Sequence, residues 1–329
     1  MDGGFGVLWL QAGGCGGCTM SALAADDVGL VKALGRFGIR LLWHPSLSEE
    51  SGPEALDILT AAAQGRLRVD ALCVEGAVLT GPNGSGRFQI LSGTGRPMAR
   101  WIADIAAHAH AVVAVGSCAA YGGVPMAGMN PSDAVGLQYD GGLLGAEFRA
   151  RSGLPVVNVA GCAPHPGWLV ETLAELALGT LTADKLDALG RPRAFADHLA
   201  HHGCGRNEFY EFKASAARPS DRGCLMENLG CKATQAPGDC NLRRWNGFGS
   251  CTDGGFACVA CTSPGFQDPG APFQETPKVA GIPVGLPVDM PKAWFVALAA
   301  LSKSATPQRV RANAHADHVV VPPARKPAK

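Results

Sequence analysis

The chain has 329 residues, of which 47% are hydrophobic, and this is enough apolar material for about two domains with sizeable cores. The 28 basic residues balance the 28 acidic ones, so the formal net charge is zero and nucleic acid is a poor candidate partner. Because no basic, hydrophobic or twin-arginine leader precedes the first apolar stretch and the C-terminal apolar run 293–301 is too short to span a bilayer, we expect a cytoplasmic protein without a membrane anchor.

Residues 7–180 alternate short apolar runs with amphipathic segments, which predicts an α/β fold with a parallel sheet and helical crossovers. The apolar runs are continuous, as expected for strands that helices cover on both faces. The predicted strands are 7–10, 39–43, 71–74, 111–115 and 155–159. The predicted helices are 19–37, 52–65, 97–109 and 167–178.

Three of these strands run into glycine-rich segments that contain cysteines. Cys15 and Cys18 follow the first strand, Cys118 follows the fourth and Cys162 follows the fifth. Because ligands in such folds bind beyond the carboxyl ends of the strands, we expect the four thiols to converge on one edge of the sheet. Four thiolates fit one [4Fe–4S] cluster, and the flanking glycines let the backbone approach it. The alternatives are isolated buried cysteines or a thioredoxin-like redox pair at the first two positions.

Two further residues lie on the third predicted strand or at its end. Cys73 stands between two apolar residues inside the strand, and we interpret it as a core residue. Glu75 ends the strand, where it could relay protons or contact a partner; an exposed carboxylate without a role is the equal alternative.

The second half contains seven of the 12 cysteines within residues 201–261, about one in every 10 residues, and this spacing among polar and glycine residues excludes ordinary core packing. A disulfide lattice would need an oxidising compartment, and structural zinc usually takes two compact ligand pairs. Iron–sulfur clusters tolerate irregular spacing, so this chemistry is favoured while the other two stay open. The candidate ligands are His201, Cys204, Cys224, Cys231, Cys240, Cys251, Cys258 and Cys261.

An ordered set of motifs over nearly the whole chain resembles the small, electron-transferring subunit of [NiFe] hydrogenases. The motifs are 14–18, 74–76, 116–123, 161–164, 201–204, 230–232 and 258–266. The resemblance implies a flavodoxin-like, doubly wound parallel sheet in residues 1–190 and a loop-rich iron–sulfur domain in residues 191–329. It also implies that the reaction H₂ ⇌ 2H⁺ + 2e⁻ occurs at a Ni–Fe centre in a partner large subunit, so that this chain contains no catalytic residue.

The resemblance further implies three clusters in a line, each with its own ligands. The proximal set is Cys15, Cys18, Cys118 and Cys162; the distal set is His201, Cys204, Cys224 and Cys231; the medial set is Cys240, Cys258 and Cys261. Many relatives have a proline where this chain has Cys251, and their medial cluster is [3Fe–4S]. A fourth thiolate at that position completes the medial set, so we expect all three clusters to be [4Fe–4S].

Motifs at 7–11, 42–48, 201–204 and 289–295 are most similar to the regulatory, H₂-sensing members. This likeness implies a heterodimer with the large subunit, a dimer of heterodimers and a signal to a histidine kinase. A cytoplasmic uptake hydrogenase, a structural zinc module and a respiratory quinone-reductase subunit are the alternatives. Near the C-terminus, 293–303 predicts an amphipathic helix that packs on the cluster domain or contacts a partner.

Overall fold

The computed structural model describes residues 4–25, 29–245, 247–268 and 275–317. These residues divide into two units, 4–197 with 261–268, and 198–260 with 275–317. The first unit carries the main sheet, whereas the second consists mainly of loops and short helices.

The main sheet has five parallel strands in the order β2-β1-β3-β5-β7. Counted along the chain, these strands have the order 2-1-3-4-5, which is that of flavodoxin-like folds, so the predicted fold class is confirmed. The strand order reverses beside β1, which places a ligand-binding edge at the carboxyl ends of the strands. The strands of the first unit are β1 (Phe5–Gln11), β2 (Ile39–Trp43), β3 (Ala71–Glu75), β4 (Val78–Leu79), β5 (Ala111–Val115), β6 (Ala134–Val135) and β7 (Val157–Val159), with β4 and β6 forming a separate antiparallel pair.

Helices cover both faces of the sheet, so strands such as β3 and β5 are buried along their whole length. On one face, Leu59, Ile102 and Ile105 of two helices pack against strand residues, and each fully buried side chain of this kind stabilises the fold by about 1.5–3 kcal/mol. The helices of the first unit are α1 (Gly17–Leu23), α2 (Leu30–Gly35), α3 (Gly52–Ala63), α4 (Met98–His108), α5 (Ser117–Tyr121), α6 (Pro166–Ala177) and α7 (Arg193–Ala196).

The prediction of a single helix over 19–37 is wrong, because the chain forms α1 and α2 instead. Gly29 precedes α2 with φ +77° and ψ 162°, a conformation that no helix contains and that glycine adopts without steric cost. The apolar periodicity continues on either side of this break, which is why the pattern alone predicts one helix.

The second unit is held by small apolar clusters that include its cysteines. Cys231, Cys240 and Cys258 pack against four buried alanines, and the helix predicted over 293–303 is present as α9. Phe295 of α9 is buried against Tyr210 and Met226, so this helix packs on the cysteine-rich unit. The elements are α8 (Asn207–Glu211), β8 (Lys278–Val279), β9 (Ile282–Pro283), α9 (Lys292–Ala305) and α10 (Gln308–Ala314). None of the helices described has the length and apolar character needed to cross a bilayer.

Candidate metal centres

The carboxyl ends of β1, β5 and β7 bring the proximal set to one edge of the sheet. Cys18 lies in the first turn of α1, and Cys118 lies in the first turn of α5. The Ser117 N–H donates to the Gly161 carbonyl (2.9 Å), which joins the segment after β5 to the segment that carries Cys162. The structure therefore brings together the three segments that the sequence analysis singled out.

Burial and repulsion between thiols raise the pKa of three proximal thiols, those of Cys18, Cys118 and Cys162. Burial raises the pKa of the Cys18 thiol far above its ordinary value, and Glu75 and the other three thiols raise it further. Burial, together with neighbouring thiols, also raises the pKa of Cys118 and of Cys162. Such thiols lose their protons only beside a compensating positive charge, which is the charge that bound iron supplies.

Glycines keep the space around two of these sulfurs open. Gly116 has φ +88°, and a Cβ built there would lie within 3.0 Å of the Cys18 Sγ. Gly123 has φ +51°, and a Cβ built there would lie 2.8 Å from the Cys118 Sγ. A bulky inorganic group bound by these sulfurs needs such space, so the proximal set fits a cluster.

Glu75 is buried, with 3% of its surface exposed, and its carboxylate accepts five hydrogen bonds. The backbone N–H groups of Cys18 and Thr19 donate to Oε1, both at 3.0 Å, while the side chains of Trp9, Gln11 and Thr19 donate to Oε2. The carboxylate therefore fixes the start of α1, the helix that carries Cys18. The alternative of an exposed carboxylate without a role is wrong, whereas the proton-relay role stays a prediction.

We expect Glu75→Gln to lower the free energy of unfolding by about 3 kcal/mol. The amide NH₂ group would replace a carboxylate oxygen that accepts hydrogen bonds, so donors that are now paired would lose their acceptor. Urea titration of the purified protein measures this change. Glu147→Gln is the control, since Glu147 is exposed in a loop and its substitution should change stability by no more than about 0.5 kcal/mol. Equal stability of the two variants would contradict the structural role of Glu75.

His44 extends the Glu75 network and was not predicted as part of it. Its Nδ1 accepts from the Ser46 N–H (3.0 Å), so Nε2 carries the proton and donates to the Thr19 hydroxyl (3.3 Å). Burial lowers the pKa of His44 to about 4, although Glu75 acts in the opposite direction. The imidazole is therefore neutral at pH 7. No sequence signal linked it to residues 19 and 75, because the contact depends on the fold.

The distal set lines one cavity in the second unit, which we call the distal cavity. It comprises about 340 Å³ of space between the atoms, part of which is open to solvent, and its wall includes His201, Cys204, Cys224 and Cys231. Burial raises the pKa of Cys224 to about 12 and also raises the pKa of Cys231, and the neighbouring thiols add to both shifts. The four residues that the sequence assigned to one cluster thus surround one space.

The imidazole of His201 is oriented by a residue that is distant in the sequence. Its Nε2 lies 3.0 Å from Asp289 Oδ2, and His202 Nε2 lies 3.2 Å from the same oxygen. Partial burial raises the pKa of Asp289, but the hydrogen bonds from the two histidines outweigh this and hold it below its usual value. When Nε2–H donates to the carboxylate, Nδ1 has a free lone pair, and this buried atom has no hydrogen-bond partner among the described residues. An unpaired buried acceptor suits an iron ligand.

Arg206 is a second residue of the distal cavity that the sequence analysis missed. Its guanidinium donates to the carbonyls of Thr252, Asp221 and Gly223, yet its buried Nη2 has no partner in the described part of the chain. Burial lowers the pKa of Arg206, and the three distal thiols act against that shift, as expected for a cation beside them. A single arginine two residues after a cysteine carried no signal by itself.

The medial set is divided between the two units. Cys240, Cys251 and Cys258 belong to the second unit, and Cys261 belongs to the first. Cys251 is exposed, whereas Cys240 and Cys258 are partly buried. The medial set therefore stays the prediction made from the sequence. Cys73 is fully buried in β3 among apolar residues, which confirms it as a core residue.

The arrangement of the cysteines differs from that of a compact structural zinc site. All 12 cysteines are free thiols. In a tetrahedral zinc site the sulfurs lie about 3.8 Å apart, since each Zn–S bond is about 2.3 Å long. Across the described ranges, the one group of three or more potential ligands within 4.8 Å of one another is His201, His202 and Asp289, which contains no cysteine. No three thiols of the described residues lie as close together as a tetrahedral zinc site requires, which favours a larger inorganic core.

Comparisons with known proteins find a matching family model for each half of the chain. The family model of the NADH ubiquinone oxidoreductase 20 kDa subunit matches residues 15–176. The model of the C-terminal region of NiFe/NiFeSe hydrogenase small subunits matches residues 197–274. A respiratory quinone-reductase subunit accounts for the first match alone, so that alternative is set aside.

Relatives of known function match over most of their length. The F420 non-reducing hydrogenase I small subunit of Methanosarcina mazei is 32% identical over 86% of this chain and 78% of its own. The periplasmic [NiFeSe] hydrogenase small subunit of Desulfomicrobium baculatum is 33% identical over 81% of this chain and 86% of its own. A chain of the actinobacterial-type NiFe-hydrogenase from Ralstonia eutropha H16 has a TM-score of 0.75 at 29% identity, covering 93% of this chain and 92% of that one. From its two halves taken together, the chain belongs to the small subunits of the NiFe hydrogenases.

Proposed function

We propose that this chain is the electron-transferring subunit of a [NiFe] hydrogenase, in which a large subunit holds the Ni–Fe centre and forms a heterodimer with it. The observation that carries the proposal is the distal cavity, where three thiols and an imidazole with an unpartnered buried Nδ1 surround one space. Iron is the metal that such a mixed thiolate and imidazole set would hold in a cluster.

The residues have distinct roles in this function. When bound, the three clusters would act as one-electron carriers, and the proximal, medial and distal sets would hold them. Glu75 fixes the backbone of Cys18, and Asp289 selects the tautomer of His201. Arg206 offers a free N–H and a positive charge beside three thiolates, which offsets part of the cost of burying their negative charge. Cys224 and Cys231 are partly buried, which limits access of water to their thiols.

The test is anaerobic purification of the chain together with its large subunit. We expect about 12 irons and a similar amount of acid-labile sulfide per chain, which corresponds to three four-iron clusters. Exchange of H₂ with D₂O should accompany the complex and depend on nickel. Material that is colourless and free of acid-labile sulfide would refute the proposal, and one or two zinc ions per chain would favour the structural module instead.

We propose further that this hydrogenase is a cytoplasmic H₂ sensor of the regulatory type, which forms a dimer of heterodimers and signals to a histidine kinase. The motifs at 7–11, 42–48, 201–204 and 289–295 support this subclass. A cytoplasmic uptake enzyme is the competing function. The rate of H₂ oxidation with a soluble acceptor separates the two, because a sensor turns over slowly and an uptake enzyme rapidly.

The medial set gives a specific prediction about cluster type. We expect Cys251→Pro to remove one iron per chain and to produce a strong [3Fe–4S]⁺ EPR signal in the oxidised protein, because three thiolates remain. The unchanged protein should lack that signal. Cys73→Ala is the matched control, since Cys73 is a buried core thiol and its loss should leave the iron content unchanged. A strong [3Fe–4S]⁺ signal in the unchanged protein would contradict an all-[4Fe–4S] chain.

A further inference from the structure

The second unit contains a groove that none of the predicted ligand sets requires. It runs beside α9 and comprises about 540 Å³ of space that is partly open to solvent. Its lining includes Tyr210, Met226, Ile282, Pro283 and Phe295, with Cys224 at its wall. We call it the α9 groove. Aromatic and aliphatic side chains dominate its lining, which is typical of sites for planar organic molecules.

The α9 groove and the distal cavity share a wall. Tyr210, Cys224 and Met226 line both spaces, so a single layer of side chains separates them. One of these three side chains, Cys224, belongs to the proposed distal set. A molecule in the groove would therefore lie next to a cluster ligand without displacing any part of the distal set.

The charge of the α9 groove is positive at one end. The Lys213 Nζ lies 3.7 Å from the centre of the Tyr210 ring and 4.8 Å from that of Phe295, and no carboxylate oxygen of the described residues lies within 4.0 Å of it. Burial lowers the pKa of Lys213, and the more distant charges of Glu211, Cys224 and Glu227 act in the opposite direction. Glu227, the acidic residue of the lining, is already bound by Lys303 and by the Ser215 hydroxyl.

A second pocket continues the groove at this end and contains no carboxylate in its lining. It shares Lys213, Ser215 and Lys303 with the groove and adds Arg311 and His315. Arg311 donates to the Lys303 carbonyl (2.9 Å), and among the residues described no carboxylate lies within ion-pair distance of it. His315 faces Asp221 at 3.6 Å, so its charge is compensated when it is protonated. Lys213 and Arg311 thus present positive charge that no carboxylate of the described residues pairs with directly.

We propose that the α9 groove binds a planar aromatic redox compound with an anionic substituent, such as an anionic quinone, with its ring against Phe295 and Met226 and its anion at Lys213. The redox part of this inference rests on the proposed function. H₂ yields two electrons and two protons, and the quinone takes up both to become a hydroquinone, Q + 2e⁻ + 2H⁺ → QH₂. The compound would serve as electron acceptor beside the distal ligands.

The test is direct binding of anthraquinone-2,6-disulfonate to the intact complex, measured by calorimetry under argon without H₂. We expect Lys213→Gln to weaken binding roughly tenfold, because it removes the unpaired cation. Lys292→Gln, a change of an exposed lysine outside the groove lining, should bind as tightly as the unchanged complex. The cationic compound benzyl viologen should not respond to Lys213→Gln, and added salt should weaken binding of the disulfonate.

The outcomes separate this inference from the proposed function. Absence of binding, or equal binding by the Lys213→Gln and Lys292→Gln complexes, overturns the inference even if the clusters are present and become reduced under H₂. If the anaerobically purified complex contains no iron–sulfur clusters but its binding still responds to Lys213→Gln, the proposed function is overturned and the groove is supported as an anion-selective aromatic site. In the loaded complex, the KM for the disulfonate under H₂ should rise about as much as its dissociation constant.

Discussion

Gly116→Ala is expected to abolish binding of iron by the proximal set. Gly116 has φ +88° and ψ 158°, a conformation that costs a residue with a side chain about 1–3 kcal/mol. The added Cβ would also lie closer to the Cys18 Sγ than 3.0 Å, a contact that Cβ atoms essentially never make, so the sulfur must move away from the edge of the sheet. Iron and acid-labile sulfide should fall by about one third, the share of one cluster in three.

Gly153→Ala is the matched control for this prediction. Gly153 also has a positive φ, +84°, which an alanine rarely adopts, but no atom lies within 4 Å of the added Cβ. The control should lose stability by about 1 kcal/mol and retain its full iron content. If both variants keep equal iron, the contact between residue 116 and the Cys18 sulfur has no bearing on a cluster, and the proximal set would need to be revised.

Local patterns in the sequence were sufficient for the sheet and for the edge that carries the proximal set. The strands at 39–43 and 111–115 lie where continuous apolar runs predicted them, because burial on both faces leaves a clear signal. The glycines after β1, β5 and β7 mark the turns from strand to helix. The error at 19–37 arose because periodicity does not report the backbone conformation of one glycine.

Contacts between residues that are distant in the sequence could not be predicted from local patterns. Asp289 reaches His201 across 88 positions, and Glu75 reaches Thr19 across 56. A sequence does not show whether a glutamate is buried or exposed, so it left two alternatives open for Glu75. Residues such as Arg206 acquire a role only when the fold buries them without a full set of hydrogen-bond partners.

Asp289→Ala is expected to weaken the hold of the distal set on iron by about 10–100-fold, the usual effect of losing a carboxylate that orients a ligating histidine. Without Asp289 the Nε2 proton of His201 has no acceptor, so the imidazole can adopt the other tautomer and present a protonated Nδ1 to the distal cavity. The measurement is iron retained after a timed challenge with a chelator, together with the EPR spectrum of the reduced protein.

Two further variants distinguish orientation of His201 from general damage to the second unit. Asp289→Asn keeps a side-chain oxygen that can accept the Nε2 proton, so it should retain most of the iron. Asp317→Ala removes an exposed carboxylate of the same unit, which lies 3.9 Å from Arg218, and should have no effect on iron retention. Equal iron retention in all three variants would contradict a role for Asp289 in orienting the ligand.

The same experiment tests whether His201, His202 and Asp289 bind a separate divalent ion. His201, His202 and Asp289 place three ligand atoms within 4.8 Å of one another, which is also compatible with a single divalent ion. A zinc-loaded protein that loses its zinc in Asp289→Ala, with its iron unchanged, would show that His201 serves that ion and not the distal set. Loss of iron without any zinc would instead mean that the carboxylate acts through the imidazole, which leaves Nδ1 as the atom that faces the cluster.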